Sequence, residues 1–292
     1  MITKLKNFYR QRFRGKLFVI KVGGALIMDD TARRYILENI KDLTQDGIKV
    51  LLIYGGGKAI DAALKKAKLS VQKIDGRRIT GANEITIIRR VLSGDLGHSI
   101  NETMTDLGLP GMVLNALPPG FTTLKRRPKK NGIIRFDGTI EEIEAGPYKK
   151  LFQATNFVAI PCLGTLKNNV TVNINADNAA VSLACQLKAA KLIFLSDVDG
   201  ILIDGKMASV LQRSELHELI DNGTITDGMR VKAENCIEAL SSGVKRAHIL
   251  NGFQKNVLLK EIYTSKGAGT MLIRRGQRRL YELEELKKKV KK

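Results

Sequence analysis

The chain has 292 residues, 43% of them hydrophobic, and a formal net charge of +20, which allows one large domain or two lobes with a sizeable core. No apolar stretch approaches the ~18 residues that a membrane-spanning helix needs, and the N-terminus lacks the apolar region of a secretory signal. Three widely spaced cysteines, Cys162, Cys185 and Cys236, favour reduced core thiols of a cytoplasmic protein over a disulfide framework.

The positive charge is concentrated in three segments. Residues 1–21 carry +7, residues 125–130 carry +5 and the tail from Arg274 carries +6, so the remaining chain is nearly neutral. A basic protein can bind nucleic acid, but only 5% of the residues are aromatic and tryptophan is absent. We therefore expect no specific nucleic-acid binding. The basic segments are interpreted as solvated surface, as a means of steering anionic substrates, or as a contact for an acidic protein partner.

Apolar runs of strand length alternate with helical patterns along the chain. The runs predict strands at 17–22, 49–54, 112–115, 156–160, 191–196 and 246–250. The patterns predict helices at about 31–45, 58–67, 84–107, 141–152, 177–188, 228–241 and 278–290. Continuous Val, Ile and Leu runs are typical of strands buried on both faces. The alternation therefore predicts an α/β fold with a mainly parallel sheet and helices on both faces.

Three other segments carry distinct signals. Residues 74–77 have the composition of a short hairpin turn around Asp75-Gly76. The segment 117–138 contains prolines and a run of bases, so we expect an exposed loop or ribbon. A second strand–helix series begins near 160–190, where we predict a lobe boundary.

Two glycine clusters each follow a predicted strand. Lys21-Val22-Gly23-Gly24 ends the first strand, and Gly55-Gly56-Gly57 follows the second. Glycine lacks a Cβ, so a ligand can come close to its backbone N–H groups. Ligands in open α/β sheets bind at the carboxyl ends of the strands. With the charge of Lys21, the clusters indicate a phosphate site, although neither has the spacing of a Walker A loop or a dinucleotide fingerprint.

Two further segments offer groups for the rest of a substrate. Arg78 follows the predicted turn, and its planar guanidinium suits two-point contact with a carboxylate; alternatively, it is solvated like its neighbour Arg77. In the segment 173–177, Asn173 and Asn175 would point the same way from an extended chain. Asp177 begins a helix rich in small residues and is either a site residue or a simple helix cap.

The second half of the chain contributes acids, a lysine and a further glycine turn. The segment 196–200 follows a buried strand and would bind a nucleotide or a metal, or only shape a turn. Lys232 lies in the first turn of a predicted helix, where a positive charge is unfavourable unless an anion is bound. Residues 267–270 form another tight turn that is ambiguous in isolation. Lysines, amides, an arginine and an aspartate without an evident general base suit phosphoryl transfer to an already ionised acceptor.

From about Lys16 to Ile273 the chain resembles the amino acid kinase family, and within it the acetylglutamate kinases. The motifs that carry the resemblance are residues 21–24, 55–57, 76–80, 173–177, 196–200, 228–232 and 267–270. The resemblance implies a three-layer αβα sandwich around a mainly parallel eight-stranded sheet. It implies an N-lobe at about 16–175 for the acyl amino acid and a C-lobe at about 176–273 for ATP. A basic N-terminal helix (1–15) and a basic helical tail (274–292) flank this domain.

The resemblance also implies roles for single residues. Lys21 and Lys232 would stabilise the moving phosphoryl group, and Asp177 would orient both lysines. Arg78 and Asn173 would bind the substrate together with the amides of Gly55 and Gly56. The nucleotide would be bordered by Gly23, Gly24, Ser196, Asp197, Asp199, Gly200, Ile201, Leu202, Gly267 and Gly269. Mg²⁺ would be held mainly by the phosphates of ATP and by water, with no metal ligands from the protein.

The implied activity is ATP-dependent phosphorylation of the side-chain carboxylate of N-acetyl-L-glutamate to an acyl phosphate, in arginine biosynthesis. The implied assembly is a cytoplasmic homodimer, which the N-terminal helix would join into a hexamer as in arginine-regulated members. Three alternatives stay open. They are a kinase of aminoadipate attached to an acidic carrier protein, a catalytically silent amino-acid sensor, and a basic protein whose termini bind nucleic acid.

The chain departs from the family pattern in two places. Tyr54 and Lys58 flank the three glycines, where the family usually has His and Pro. The segment 114–120 and the basic run after it stand where acetylglutamate kinases usually have Ser-Gly-Lys-Asp-Gly. Both departures leave the phosphoryl-transfer residues intact and bear on the identity of the amino acid substrate.

Overall fold

The computed structural model describes residues 2–71, 73–74, 77–128, 134–264, 266–274 and 276–278. Three sequence predictions lie outside the described residues: the turn at Asp75-Gly76, the bases Lys129 and Lys130, and nearly all of the tail helix at 278–290. The described residues form alternating strands and helices that build one large sheet, a smaller sheet and two short ribbons.

The described residues form sixteen strands, and eight of these build the main sheet. The strands are β1 (Leu17–Val22), β2 (Lys49–Tyr54), β3 (Lys73–Ile74), β4 (Arg77–Arg78), β5 (Met112–Val113), β6 (Thr122–Arg126), β7 (Asp137–Ile143), β8 (Phe157–Pro161), β9 (Leu163–Thr165), β10 (Thr171–Ile174), β11 (Lys191–Ser196), β12 (Leu202–Ile203), β13 (Lys206–Met207), β14 (Val210–Gln212), β15 (Arg246–Asn251) and β16 (Thr270–Ile273). The order in the main sheet is β14-β16-β15-β11-β1-β2-β8-β5. Its neighbouring strands are parallel except β15 and β16, which confirms the mainly parallel sheet.

The helices connect these strands. They are α1 (Ile2–Phe13), α2 (Gly24–Met28), α3 (Asp30–Gln45), α4 (Gly57–Lys66), α5 (Ala82–Arg89), α6 (Gly97–Leu107), α7 (Ala145–Ala154), α8 (Ala176–Gln186), α9 (Arg213–Asp221), α10 (Asp227–Ser241) and α11 (Val257–Tyr263). A π-helical segment, Arg90–Leu96, joins α5 to α6. Among the described helices, none has both the length and the apolar character needed to cross a bilayer.

Each face of the main sheet carries its own hydrophobic core, because successive side chains of a strand point to opposite faces. On one face Ile20 and Leu52 pack with apolar residues of α3, α4, α6 and α11. On the other face Val19 and Leu51 pack with residues of α7, α8, α9 and α10. The sheet therefore lies between two helical layers, and the predicted three-layer αβα sandwich is confirmed.

A smaller sheet of four strands, in the order β6-β7-β10-β9, covers part of the segment predicted to be an exposed loop or ribbon. Strands β6 and β7 do form an antiparallel ribbon. The segment is exposed only in part: Pro119, Gly120 and Lys125 are exposed, whereas Leu117, Thr122 and Asp137 are buried. The ribbon is held by parallel pairing of β7 with β10, a contact between distant parts of the chain that local composition does not encode.

Side-chain hydrogen bonds fix the N-terminal ends of α9 and α11, two helices that the sequence analysis did not predict. At α11 the amides of Leu258 and Leu259 donate to the side chain of Asn39, on α3, at 3.1 and 3.4 Å. At α9 the amide of Gln212 donates to Glu215 at 2.6 Å, as part of a capping box. The helix predicted at 141–152 begins only at Ala145, because β7 continues to Ile143.

A buried row of three titratable side chains crosses β11, β15 and α11. The Nζ atom of Lys191 lies 2.9 Å from Nε2 of His248, and Nδ1 of His248 lies 2.6 Å from Oε1 of Glu261. This geometry fits a neutral imidazole that accepts from the ammonium and donates to the carboxylate. Burial and the charge of Lys191 lower the pKa of His248 to about 4. Burial opposes ionisation of Glu261, but the hydrogen bonds from His248 and from the backbone amide of Ala268, together with the charges of His248 and Lys191, outweigh it and lower that pKa to about 2.

We expect the folded protein to lose stability as the pH falls from about 6.5 to 4, because His248 must remain neutral. A group with a lowered folded pKa contributes its full stabilisation above its unfolded pKa and loses it as the pH falls through the folded value. The amount for His248 is on the order of 3 kcal/mol. The free energy of unfolding, measured by denaturant titration across this range, should show the loss.

The matched comparison uses two single variants. His248→Gln should have a shallower pH dependence in this window, whereas His217→Gln, at an exposed position of α9, should keep the wild-type slope. Equal slopes for His248→Gln and the wild type would show that His248 does not titrate with unfolding.

Candidate active site

Two glycine turns meet at the carboxyl ends of β1 and β2. The strands are parallel, with Val22 opposite Tyr54, so the turns that follow emerge side by side. A Cβ on Gly24 would lie 2.7 Å from Cα of Gly56, so only glycine allows this approach. Helices α2 and α4 begin at these turns. Backbone N–H groups without helical partners therefore collect at this edge, as an anion cradle requires.

Lys21 and Asp177 form an ion pair beside these turns. The Nζ atom of Lys21, on β1, lies 2.8 Å from Oδ1 of Asp177, and both side chains are largely buried. The N-cap of α8 is Asn175, whose side chain accepts from the amide of Asn178 at 3.0 Å. Capping is thus carried out by Asn175, and the carboxylate of Asp177 is directed to the lysine.

Arg78 reaches the same place from β4. Its Nη2 donates to a carboxylate oxygen of Asp61 and, at 3.5 Å, to the carbonyl of Gly57. Its side chain is only 7% exposed, and Nη1 has no hydrogen-bond partner among the described residues. A buried guanidinium with one open donor is suited to a carboxylate ligand.

Asn173 completes this group from β10. Its side-chain Nδ2 lies 3.5 Å from Oγ1 of buried Thr80, and its backbone amide donates to the carbonyl of Phe136 at 2.8 Å. The amide of Phe136 in turn donates to the carbonyl of Thr80 at 2.7 Å. These bonds attach the segment after Arg78 to the smaller sheet.

One cleft of about 250 Å³ gathers the predicted phosphate and substrate residues. It is lined by Lys21, Gly23, Gly24, Gly55, Gly56, Arg78, Asn173 and Asp177. The cleft is also lined by Leu92, Arg127 and Asp137, which sequence reasoning missed. Asp137 lies at the end of the segment that the sequence predicts to be an exposed loop or ribbon. Its place on a strand that faces the cleft follows from the pairing of β7 with β10.

The predicted nucleotide residues of the second half lie outside this lining. Ser196 ends β11, and Asp199 accepts from the amide nitrogens of Asn251 and Gln254 at 2.8 and 2.7 Å. Ile201 is fully buried and its amide donates to Oγ1 of Thr270 at 2.8 Å. Leu202 is 54% exposed on the β12–β13 ribbon.

The last predicted turn packs against these residues. A Cβ on Gly200 would lie 2.6 Å from Oγ1 of Thr270, and a Cβ on Gly269 would lie 2.3 Å from the carbonyl of Ile249. Gly267 and Gly269 also line a second cavity of about 260 Å³ beside α1. The turn therefore packs against the segment after β11 and borders a cavity separate from the cleft.

The charges of Lys232 and Lys58 act on Asp197, and so relate the residues after β11 to those beside the second glycine turn. The pKa of Asp197 is lowered by a hydrogen bond from its own backbone amide, with smaller contributions from Ser196, Lys232 and Lys58. Lys232 lies in the first turn of α10 with Nζ 3.4 Å from the carbonyl of Gly228. Lys58, which follows the second glycine turn, thus brings a further positive charge toward the carboxyl end of β11.

The arrangement concentrates positive charge and backbone donors at one edge of the sheet. Among the described residues no histidine lines the cleft, and no three His, Cys, Asp or Glu side chains converge as a metal-binding group. Such a site is suited to stabilising negative charge that moves between oxygen atoms. It offers little for proton abstraction.

Comparison with known proteins agrees with this chemistry. The sequence profile of the amino acid kinase family matches residues 16–251. The chain belongs to the amino acid kinase family. It is similar to the acetylglutamate kinase of Chlorobium chlorochromatii, with 34% identity over 91% of this chain and 92% of the relative. It is also 35% identical to the acetylglutamate kinase of a Nitratiruptor species, over 90% and 93%.

Solved structures of this family have the same fold. The N-acetylglutamate synthase of Neisseria gonorrhoeae, complexed with coenzyme A and N-acetyl-glutamate, superposes with a TM-score of 0.84 and 26% identity over 93% of this chain. This kinase-family chain spans 62% of the synthase chain. The carbamate kinase of Giardia lamblia bound to AMP-PNP superposes with a TM-score of 0.63 and 20% identity, over 89% of this chain and 99% of the carbamate kinase. At that identity the likeness concerns the fold alone.

We expect Gly24→Ala to destabilise the protein, because the new methyl group would press on the backbone of Gly56 at 2.7 Å. Backbone cannot move aside as a flexible side chain can, and overpacking of this kind costs about 1–3 kcal/mol. Denaturant titration measures the loss. The control is Gly23→Ala, since a Cβ there meets nothing within 4 Å and its φ of −73° suits any residue. Equal stability of the two variants would contradict the close approach of the turns.

Proposed function

We propose that the protein transfers the γ-phosphoryl group of ATP to the side-chain carboxylate of N-acetyl-L-glutamate, as a step of arginine biosynthesis. The observation that carries the proposal is one cleft that combines two glycine turns, the Lys21–Asp177 pair and the open donor of Arg78. About 34% identity to acetylglutamate kinases over nine tenths of the chain supports the same activity.

In the reaction a side-chain carboxylate oxygen attacks the γ-phosphorus. A new O–P bond forms, the bond from phosphorus to the β–γ bridging oxygen breaks, and ADP leaves. The attacking carboxylate is already ionised at neutral pH, so no general base is needed. The amides of the glycine turns and the ammonium of Lys21 stabilise the negative charge on the phosphoryl oxygens, and Asp177 orients that ammonium.

Substrate binding follows from the same side chains. Arg78 holds the α-carboxylate through Nη1, and its bond to Asp61 fixes the guanidinium before the substrate arrives. Asn173 lies beside it. Fixing the two carboxylates leaves only one of them within reach of the phosphoryl group, which makes the reaction specific for the side-chain end.

ATP is proposed to lie across the carboxyl ends of β11 and β15. The segment Ser196 to Leu202 and the turn at Gly267 and Gly269 border it, and Lys232 approaches its phosphates from the first turn of α10. Mg²⁺ is proposed to be held mainly by the phosphates of ATP and by water. In this arrangement residues 16–175 bind the acyl amino acid and residues 176–273 bind ATP.

We propose a cytoplasmic homodimer that α1 extends to a hexamer. Helix α1 is anchored on its own subunit, with Tyr9 and Phe13 buried and Nε of Arg10 2.6 Å from Asp46. Its Phe8 is 38% exposed. A rigid helix with an exposed apolar residue is a suitable contact between copies of the chain.

One second candidate is favoured by the net charge of +20. A kinase of aminoadipate attached to an acidic carrier protein would use the same cleft, and a basic surface would attract that carrier. A catalytically silent sensor is disfavoured, because a sensor has no need of Lys21, Asp177 and Lys232 together.

The substrate assignment is tested by ADP release with N-acetylglutamate, glutamate, N-acetylaspartate, aminoadipate and carbamate. We expect the highest kcat/KM with N-acetylglutamate, and the fixed separation of the two carboxylate positions disfavours N-acetylaspartate and aminoadipate, whose carboxylates are spaced differently. Turnover confined to carrier-linked aminoadipate would favour the second candidate. Tight binding of N-acetylglutamate without ADP release would indicate a sensor.

We expect Lys232→Ala to lower kcat by at least about 100-fold, the scale of removing one electrostatic stabiliser of a transition state. The control is Lys245→Ala, an exposed lysine in the loop after α10, which should leave kcat unchanged. A nearly normal kcat for Lys232→Ala, with ADP release under saturating ATP, would contradict the role of Lys232.

A further inference from the structure

A charged cluster of Arg127, Arg135 and Asp137 lies at the cleft, apart from the residues given roles above. Nε of Arg135 donates to one carboxylate oxygen of Asp137 at 2.8 Å, and Nη2 donates to the other. Nε of Arg127 lies 3.6 Å from the second oxygen. Arg127 and Asp137 line the cleft, and the Asp137 side chain is only 7% exposed.

The smaller sheet fixes this cluster beside side chains that are proposed to bind the substrate. Asp137 begins β7 directly opposite Asn173 on β10, and its carbonyl accepts from the amide of Arg127 at 3.0 Å. The backbone and side chain of Asp137 therefore both hold Arg127. Because Asn173 is bonded to Thr80, two residues beyond Arg78, the cluster and Arg78 are parts of one connected wall.

The cluster places the side chain of Arg127 at the wall of the cleft. Arg135 alone reaches both oxygens of Asp137, so the carboxylate is satisfied without Arg127. The three side chains together carry one net positive charge. Arg127, with 26% of its side chain exposed, is the member that faces ligand space, and a structural ion pair does not require a second arginine there.

The proposed substrate has three polar ends and the cleft has three matching groups. The reacting carboxylate belongs at Lys21 and the glycine turns, and the α-carboxylate belongs at Arg78. The acyl carbonyl oxygen then needs a donor. A guanidinium gives that neutral oxygen a charge-assisted hydrogen bond, which is stronger than one from a neutral donor.

We propose that Arg127 binds the acyl carbonyl oxygen of the substrate and so selects an acylated amino acid over the free amino acid. This inference rests on the function proposed above. Asp137 is a positioning residue that aims Arg127, and Arg135 holds Asp137 in place. The buried pair keeps the guanidinium pre-oriented, so little side-chain freedom is lost when the substrate binds.

The test compares Arg127→Gln with Arg126→Gln. Arg126 is the neighbouring residue, and its guanidinium lies over the ring of Phe136 at 5.0 Å; it does not line the cleft. In Arg127→Gln we expect kcat/KM for N-acetylglutamate to fall about 10-fold or more, mainly through KM. The KM for ATP and the thermal unfolding temperature should stay at their wild-type values, as should all values for Arg126→Gln.

Selectivity provides the decisive measurement. The ratio of kcat/KM for N-acetylglutamate over L-glutamate should fall about 10-fold in Arg127→Gln, because glutamate lacks the acyl oxygen. Calorimetric titration of N-acetylglutamate without ATP should show the same loss of affinity. Equal losses for both substrates, or no loss for either, would overturn the inference while the proposed function stands. No turnover of N-acetylglutamate by the wild type would instead overturn the proposed function, and the inference with it.

Discussion

The close approach of Gly24 and Gly56 is the constraint on which the site depends. It exists because β1 and β2 run parallel in register and because neither residue carries a Cβ. With the turns in contact, the first amides of α2 and α4 open toward the same space. Lys21 lies on the strand before one turn, and Arg78 is bonded to the carbonyl of Gly57 in the other. A shift of either turn would move the anion cradle and both cations together.

Three cations of the cleft each form an ion pair with an aspartate that holds them in position. Lys21 pairs with Asp177, Arg78 with Asp61, and Arg127 with Asp137, while Lys232 acts on Asp197 electrostatically. An oriented cation stabilises a developing charge without reorganising first. The aspartates also reduce the repulsion among positive groups gathered in one cleft. The large net charge of the chain does not arise mainly from these cations, because most of it belongs to the termini and one loop.

Tyr54 shows how a departure from the family pattern is accommodated. Its side chain is fully buried and its hydroxyl donates to the carbonyl of Leu92 at 3.2 Å. Burial raises the pKa of Tyr54, so the hydroxyl remains a donor. Leu92 belongs to the π-helical segment and lines the cleft. The residue before the glycine turn thus connects the base of the cleft to its wall.

The layers of the fold and the two glycine turns of the candidate site follow from local patterns in the sequence. Continuous apolar runs predicted the six strands that were named, because strands buried on both faces tolerate little else. Glycine clusters after two of these strands predicted the anion cradle, since that chemistry depends on local backbone freedom. The order of these motifs along the chain also indicated the family.

The remaining features depend on contacts between residues far apart in the chain, so local patterns do not predict them. The pairing of β7 with β10 places Asp137 and Arg127 in the cleft, although the composition of their segment indicated an exposed loop or ribbon. Helix α11 is capped by Asn39, more than two hundred residues earlier. Asp177 pairs with Lys21, on the distant strand β1, while its neighbour Asn175 caps α8. Local patterns describe what a segment can form, whereas long-range contacts determine what its side chains face.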